Sequence, residues 1–312
     1  MIVVYWVWRI GMYLASLVPQ RWSFAFAGAA GNSAYYLMGL RRRVAKENFS
    51  QVLGKSPNDP EVRRVARQAF QNYARYLRDV MLYPRIPTTE LEKRVVVHRS
   101  EYIEQALALN KGAIIVSAHF GNMDLTSAVL AKHYGPITLV AESLRPPQLM
   151  DFLTRMRGER RVYLFPYDQA PRKILQALKR NEMTGFLLDF GVTHHLDITT
   201  VTVSFFGTPT PFPAGPAQLA LLTGAPIVVG HARVTPDGVI HGHATEPIIV
   251  KRTGNRQHDL QVTMQEIAHR FEQFIGLHPE QWYMFRPMWG KETSPEFRIS
   301  DAGLELPGSN RV

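Results

Sequence analysis

The fold class this 312-residue chain predicts is α/β, with a central, mostly parallel or mixed sheet flanked by helices. Three observations predict it. Short apolar runs rich in β-branched residues alternate with helix-period stretches between residues 95 and 189, the pattern of parallel strands joined by crossover helices. The chain is 46% hydrophobic, so a chain of this length can bury a substantial core. The residues before 84 read as helical throughout, which divides the chain into an N-terminal helical region (1–83), an α/β domain (84–293) and a C-terminal tail (294–312).

Residues 1–19 are apolar and aromatic, but Arg9 sits near the middle and Pro19 closes the stretch. That leaves it at the lower margin of the roughly 17–25 residues a spanning helix needs. A second apolar stretch, 22–40, is rich in small residues and ends at Arg41-Arg42-Arg43. The aromatics come early and the basic residues late, the reverse of a cleaved signal peptide. Two arrangements fit: a shallow helical hairpin dipping into a membrane face, or helices buried against the domain. A basic helix follows over 41–54, and Ser56-Pro57-Asn58-Asp59-Pro60 breaks it. From 61 to 82, Val62, Val65, Ala66, Ala69, Phe70, Tyr73, Leu77, Val80 and Met81 recur at three- and four-residue steps. Arg63, Arg64, Arg67, Arg75 and Arg78 lie largely off that stripe, giving an amphipathic helix with a basic outer face, either solvated or set against lipid headgroups.

Pro84 and Pro87 end the helical region. Beyond them, strands are expected at 95–98, 112–117, 137–142, 162–165 and 184–189, with helices at 101–109, 125–133, 147–157 and 171–179 between them. Strand signals dominate 199–206 and 227–249, a short helix falls at 215–223, and a last long helix runs over 258–275. Thr208-Pro209-Thr210-Pro211-Phe212-Pro213 reads as a Pro-rich loop.

A net charge of +10 and an isoelectric point near 9.9 point to an anionic partner. The arginines accompany an apolar N-terminus and no nucleic-acid motif, so a lipid surface suits them better than nucleic acid. There is no cysteine, which excludes a thiol nucleophile, disulfides and cysteine-based zinc sites. The chain also lacks a Gly-x-Ser-x-Gly elbow, a Gly-Lys-Ser/Thr phosphate loop, a Gly-x-Gly-x-x-Gly turn and His-Glu-x-x-His. What remains is His119-Phe120-Gly121-Asn122-Met123-Asp124 at the end of the 112–117 strand. On one helix His119 and Asp124 would point apart by about 140°. Across a strand-to-helix turn they can meet, the carboxylate orienting a histidine that takes a proton from a substrate hydroxyl. A structural turn histidine is the alternative. His194-His195 and His241-x-His243 lack a third ligand at a diagnostic spacing and read as surface histidines, with no metal site expected.

These residues resemble the His-x4-Asp/Glu motif of the lysophospholipid acyltransferase superfamily, in its branch of lipid A biosynthesis (lauroyl/myristoyl) and phosphatidylinositol mannoside acyltransferases. Asn48-Phe49, Ser204-Phe205-Phe206-Gly207, Gly215-Pro216-Ala217, Thr223-Gly224-Ala225-Pro226 and Pro279-Glu280-Gln281-Trp282 extend the resemblance in order over most of the chain. The resemblance implies transfer of a fatty acyl group from acyl-CoA or acyl carrier protein to a glycolipid hydroxyl. It implies no cofactor, no metal and no covalent acyl-enzyme, and a place on the cytoplasmic face of a bacterial inner membrane. It makes His119 the general base, Asp124 its partner and Asp189 a further acidic residue near the site, unless Asp189 only caps a helix. It makes Arg145 and Arg157 candidates for holding an anionic lipid or the donor's phosphates, with surface arginines as the alternative. Gly121 and Asn122 are expected at the substrate, with backbone N–H groups near Gly121 as oxyanion donors. Phe206 and Gly207 are expected to wall the site with the Pro-rich segment and admit an acyl chain. Asp124, where lipid A enzymes commonly carry Glu, leans the reading toward mannoside enzymes. The rival reading is a lipid-binding or tethering protein without turnover.

Overall fold

The computed structural model describes residues 2–141, 147–166, 169–189 and 199–289. Arg145, His194, His195 and the 294–312 tail lie outside the described residues. Four helices come first: α1 (Ile2–Leu17), α2 (Gln20–Leu37), α3 (Gly39–Leu53) and α4 (Pro60–Leu82). After a 3-10 turn at Tyr83–Arg85 come α5 (Thr88–Arg94), β1 (Val95–His98), α6 (Glu101–Ala108), β2 (Ala113–Ser117) and α7 (Met123–Tyr134). Next are β3 (Ile137–Ala141), α8 (Pro147–Gly158), β4 (Val162–Pro166), α9 (Ala170–Lys179) and β5 (Met183–Leu187). The chain continues through β6 (Thr200–Phe205), β7 (Thr208–Pro213), α10 (Gly215–Thr223), β8 (Ile227–Val234), β9 (Ile240–Ala244) and α11 (Arg256–Leu277), then a 3-10 turn at Pro279–Gln281.

Among the described residues the main sheet has seven strands in the order β1-β9-β8-β2-β5-β3-β4. β8, β2, β5, β3 and β4 run parallel, while β9 pairs antiparallel with β8 and carries β1 with it. The central strand β2 reads Ala-Ile-Ile-Val-Ser with no alternation because both faces are covered, as a parallel strand between helical layers requires. β5 sits between β2 and β3, although β3 and β4 precede it in the chain. This insertion puts the ends of β2 and β5 side by side.

The proline-rich 208–213 segment is not a loop but the edge strand β7, paired antiparallel with β6. Pro209, Pro211 and Pro213 alternate, and in an antiparallel ladder alternate residues turn their N–H groups the same way. All three face away from β6, where an edge strand needs no donor.

α4 begins at the N-cap Asp59, whose carboxylate accepts the Glu61 N–H, with Pro60 in the first turn. Its apolar stripe is buried at Val62, Val65, Ala66, Ala69, Phe70 and Val80 and half-buried at Tyr73, Leu77 and Met81, yet the arginines do not all share one outer face. Arg63, Arg64 and Arg67 are exposed, whereas Arg78 is buried beneath α2. Gly31 lets α2 approach α4 so closely that a Cβ there would lie 2.4 Å from the Phe70 carbonyl oxygen. The small residues of 22–40 thus serve helix packing on one side, while Trp22, Phe26, Tyr36 and Leu37 stay exposed on the other. No helix among the described residues is long and apolar enough to cross a membrane. The helices of 1–83 and the sheet share one core: Phe49 meets Trp282 edge-on, Phe70 meets Phe285, and the Asn48 side chain bonds the backbone of Met284, Arg286 and Met288.

Candidate active site

β2 and β5 are in parallel register, Ser117 opposite Leu187, so two residues further on His119 stands level with Asp189. The His119 backbone N–H donates to both Asp189 oxygens at 3.0 and 2.9 Å, and His119 Nδ1 lies 2.9 Å from Oδ1. The Trp282 indole N–H donates to Oδ2 at 2.8 Å. Asp189 is 0% exposed and the His119 side chain 42%, so a buried carboxylate supports a solvent-facing imidazole. A carboxylate facing Nδ1 fixes the proton there and leaves the lone pair of the neutral ring on Nε2. That is the tautomer a general base needs.

The expected pairing of His119 with Asp124 is corrected by this geometry. Asp124 does return in the first turn of α7, but its carboxylate is held by Arg157 Nε and Nη2, the latter at 3.2 Å, and by the Tyr76 hydroxyl at 2.6 Å. Burial works to raise the Asp124 carboxyl, but the charge of Arg157 and the hydrogen bonds from Arg157 and Tyr76 hold it below its usual range. Burial, aided by the Asp124 charge, pushes the Tyr76 hydroxyl well up. Arg157, expected to meet an anionic lipid or donor phosphates, is instead spent on this buried pair, because the last turn of α8 packs its guanidinium against the start of α7. Asp189, for which helix capping was the alternative, holds the histidine.

Gly121 and Asn122 do structural work. Gly121 has φ +61°, and a Cβ on it would lie 1.7 Å from the Ala232 carbonyl oxygen, so the residue that turns the chain here must be glycine. Its N–H donates to the Gln281 carbonyl at 2.9 Å and the Asn122 N–H to the Ala232 carbonyl at 3.0 Å. These two N–H groups are therefore not oxyanion donors in this conformation: the 279–283 segment and β8 already take them. Asn122 is buried, caps α7 through the Leu125 N–H, and donates to Asp79 at 2.8 Å. Asp79 also receives Arg78 and Arg94, so a buried charged cluster on α4 fixes the far side of the His119 turn.

Phe206 and Gly207, both at positive φ, form the two-residue turn between β6 and β7. The Phe206 carbonyl accepts from Gln51 at 2.7 Å and its N–H donates to Glu272. Next to them Phe205 packs against Trp282 and Trp289, so the hairpin braces the indole that holds Asp189. His241 Nδ1 lies 2.8 Å from His98 Nε2, and the His98, His243 and His231 rings stack across β1, β9 and β8. Among the described residues no group of three metal-capable side chains is placed to hold an ion. Sequence reasoning missed Tyr76 and Asp79; their three-residue spacing on one face of α4 was a signal, but only with the location of α7 known.

A family model described as bacterial lipid A biosynthesis acyltransferase matches residues 1–291. The chain is 30% identical over 289 residues to a phosphatidylinositol mannoside acyltransferase of Mycolicibacterium smegmatis, covering 92% of each chain. It is 28% identical over 299 residues to one of Mycobacterium tuberculosis, covering 94% of this chain and 90% of that one.

Proposed function

The chain belongs to the bacterial lipid A biosynthesis acyltransferase family and is an acyltransferase of lipid biosynthesis; on that premise we propose that it acylates a hydroxyl of a membrane glycolipid from an acyl thioester, with His119 as general base. The observation that carries the reading is the His119–Asp189 contact at 2.9 Å beneath an exposed ring. Nε2 takes the proton of the acceptor hydroxyl as its oxygen attacks the thioester carbonyl. The C–O bond forms, the tetrahedral intermediate collapses, the C–S bond breaks, and the imidazolium returns the proton to the departing sulfur. Asp189 stabilises the imidazolium while it carries that proton. The donor is acyl-CoA or acyl carrier protein. The acceptor class is a phosphatidylinositol mannoside rather than a lipid A precursor, supported by the names of the similar proteins and by Asp124.

The same reading places the protein peripherally on the cytoplasmic membrane face. Trp6, Ile10, Tyr13 and Leu17 recur at helical spacing and are all exposed, as are Trp22 and Phe26 on α2. Arg9, Arg21 and Arg41-Arg42-Arg43 accompany them, the composition of helices that lie in a headgroup layer.

The test is thiol release and lipid mass shift with the purified protein, offered acyl-CoA or acyl carrier protein as donor and each glycolipid as acceptor. The expected outcome is acylated mannoside with one thiol freed per acyl group, abolished in His119→Ala. Full transfer by folded His119→Ala would overturn the mechanism, and lipid binding without thiol release would mean a binding protein.

A further inference from the structure

A cleft of about 400 Å3 opens beside the His119 turn, between α2, α4, the end of β8 and the 278–283 segment. Asn122 lines it and His119 does not. Two arginines line it from different elements, Arg75 from α4 and Arg233 from β8. Arg75 Nε is buried and has no hydrogen-bond partner among the described residues. Its guanidinium rests on the Phe24 ring, 4.7 Å from the centroid, and spends one N–H on Asn72 Oδ1 at 3.1 Å. It forms no ion pair with a carboxylate among the described residues, and burial alone works to lower its affinity for its proton. Arg233 is in a similar position: its Nη1 lies 3.0 Å from His278 Nε2, and it forms no ion pair with a carboxylate among the described residues.

The acids in the lining do not neutralise this pair. Asp79 is already shared by Arg78, Arg94 and Asn122. The Glu280 carboxylate lies 3.6 Å from His278 Nδ1 on the other side of that ring. A half-buried guanidinium with an unsatisfied donor is costly unless an anion completes it. Two guanidiniums from different elements suit a tetrahedral oxyanion, which offers oxygens in several directions, better than a planar carboxylate that one fork satisfies. The volume lies in the range of small-molecule sites.

We propose that this cleft is a binding site for a phosphate group, held by Arg75 and Arg233. Two molecules can bring such a group to this place: a lipid headgroup reaching past Phe24 of α2, whose outer residues Trp22 and Phe26 are exposed and apolar, or a soluble phosphorylated donor. The site does not rest on the acyl-transfer reading, because its occupancy is read without turnover.

The experiment is calorimetric titration of the full chain with inorganic phosphate, glycerophosphoinositol and coenzyme A, with chloride of equal ionic strength as the blank and thermal melting as a second readout. Phosphate is expected to bind and to raise the melting temperature beyond chloride. Arg75→Gln and Arg233→Gln should each weaken it about tenfold or more, the loss of one charge-assisted contact. Arg67→Gln, on the exposed face of α4, should leave it unchanged. If Arg75→Gln does not fold, Arg75→Lys and Arg233→Gln carry the comparison. Competition between phosphate and glycerophosphoinositol assigns the site to a headgroup; competition with coenzyme A assigns it to the donor. Equal titration of wild type and the Arg75→Gln/Arg233→Gln protein by every probe, or a phosphate effect no larger than that of chloride, overturns the proposal.

Discussion

Asp189 and Asp124 are both buried carboxylates beside the His119 turn, Asp189 brought there by β5 and Asp124 by the first turn of α7, and they have opposite surroundings. Asp189 faces a backbone N–H, an indole N–H and an imidazole, and among the described residues no arginine pairs with it. Asp124 faces a guanidinium and a phenol, neither of which gives up its proton near neutrality. One carboxylate holds an imidazole; the other bolts α4, α7 and α8 together beside it. The motif spacing singles out Asp124, but register across β2 and β5 chooses Asp189.

The largest expected effect breaks the Asp189 side. Asp189→Asn should lower the turnover rate about 10³–10⁴-fold, since an amide can present N–H to Nδ1 and favour the wrong tautomer. His119→Ala should match it with a smaller loss of melting temperature than Arg157→Met, because the His119 side chain is half-exposed and buried Asp189 keeps its bonds from the His119 N–H and the Trp282 indole. A smaller effect, on stability rather than chemistry, should follow from breaking the other side. Arg157→Met leaves Asp124 buried and uncompensated, at a cost of about 3–5 kcal/mol in denaturant unfolding.

The smallest effect is a shift in acid sensitivity. The folded-state carboxyl of Asp124 is held below its usual value of 3.8, so its stabilising contribution is full above that value and is lost as pH falls through the lower folded one. Without Arg157 its charge and its hydrogen bond are gone, and burial, opposed then only by the Tyr76 hydrogen bond, moves the carboxyl upward. Melting curves recorded across the acidic range should therefore show Arg157→Met losing stability at a higher pH than wild type.

Local pattern made much of the fold legible. The stripe over 61–82 coincides with α4 at Pro60–Leu82, and the 215–223 helix coincides with α10. β7 was hidden because proline argues against a strand until the strand is known to lie at an edge. Periodicity assigns Arg78 to the outer face because it shows which residues share a side, not that α2 covers part of it. Every candidate residue of the His119 turn was visible in the sequence, yet the partnership was not. Adjacency of β2 and β5 depends on where the crossover from β4 returns, and no residue near His119 encodes that.

Whether Asp189 or Asp124 sets the state of the His119 imidazole can be read directly from its ring nitrogens by ¹⁵N NMR. The structure predicts a proton on Nδ1 and a lone pair on Nε2 in the neutral wild-type ring, a state lost in Asp189→Asn and retained in Arg157→Met. A His119 ring that keeps its Nδ1 proton in Asp189→Asn and changes tautomer when the Asp124 pair is broken would contradict it.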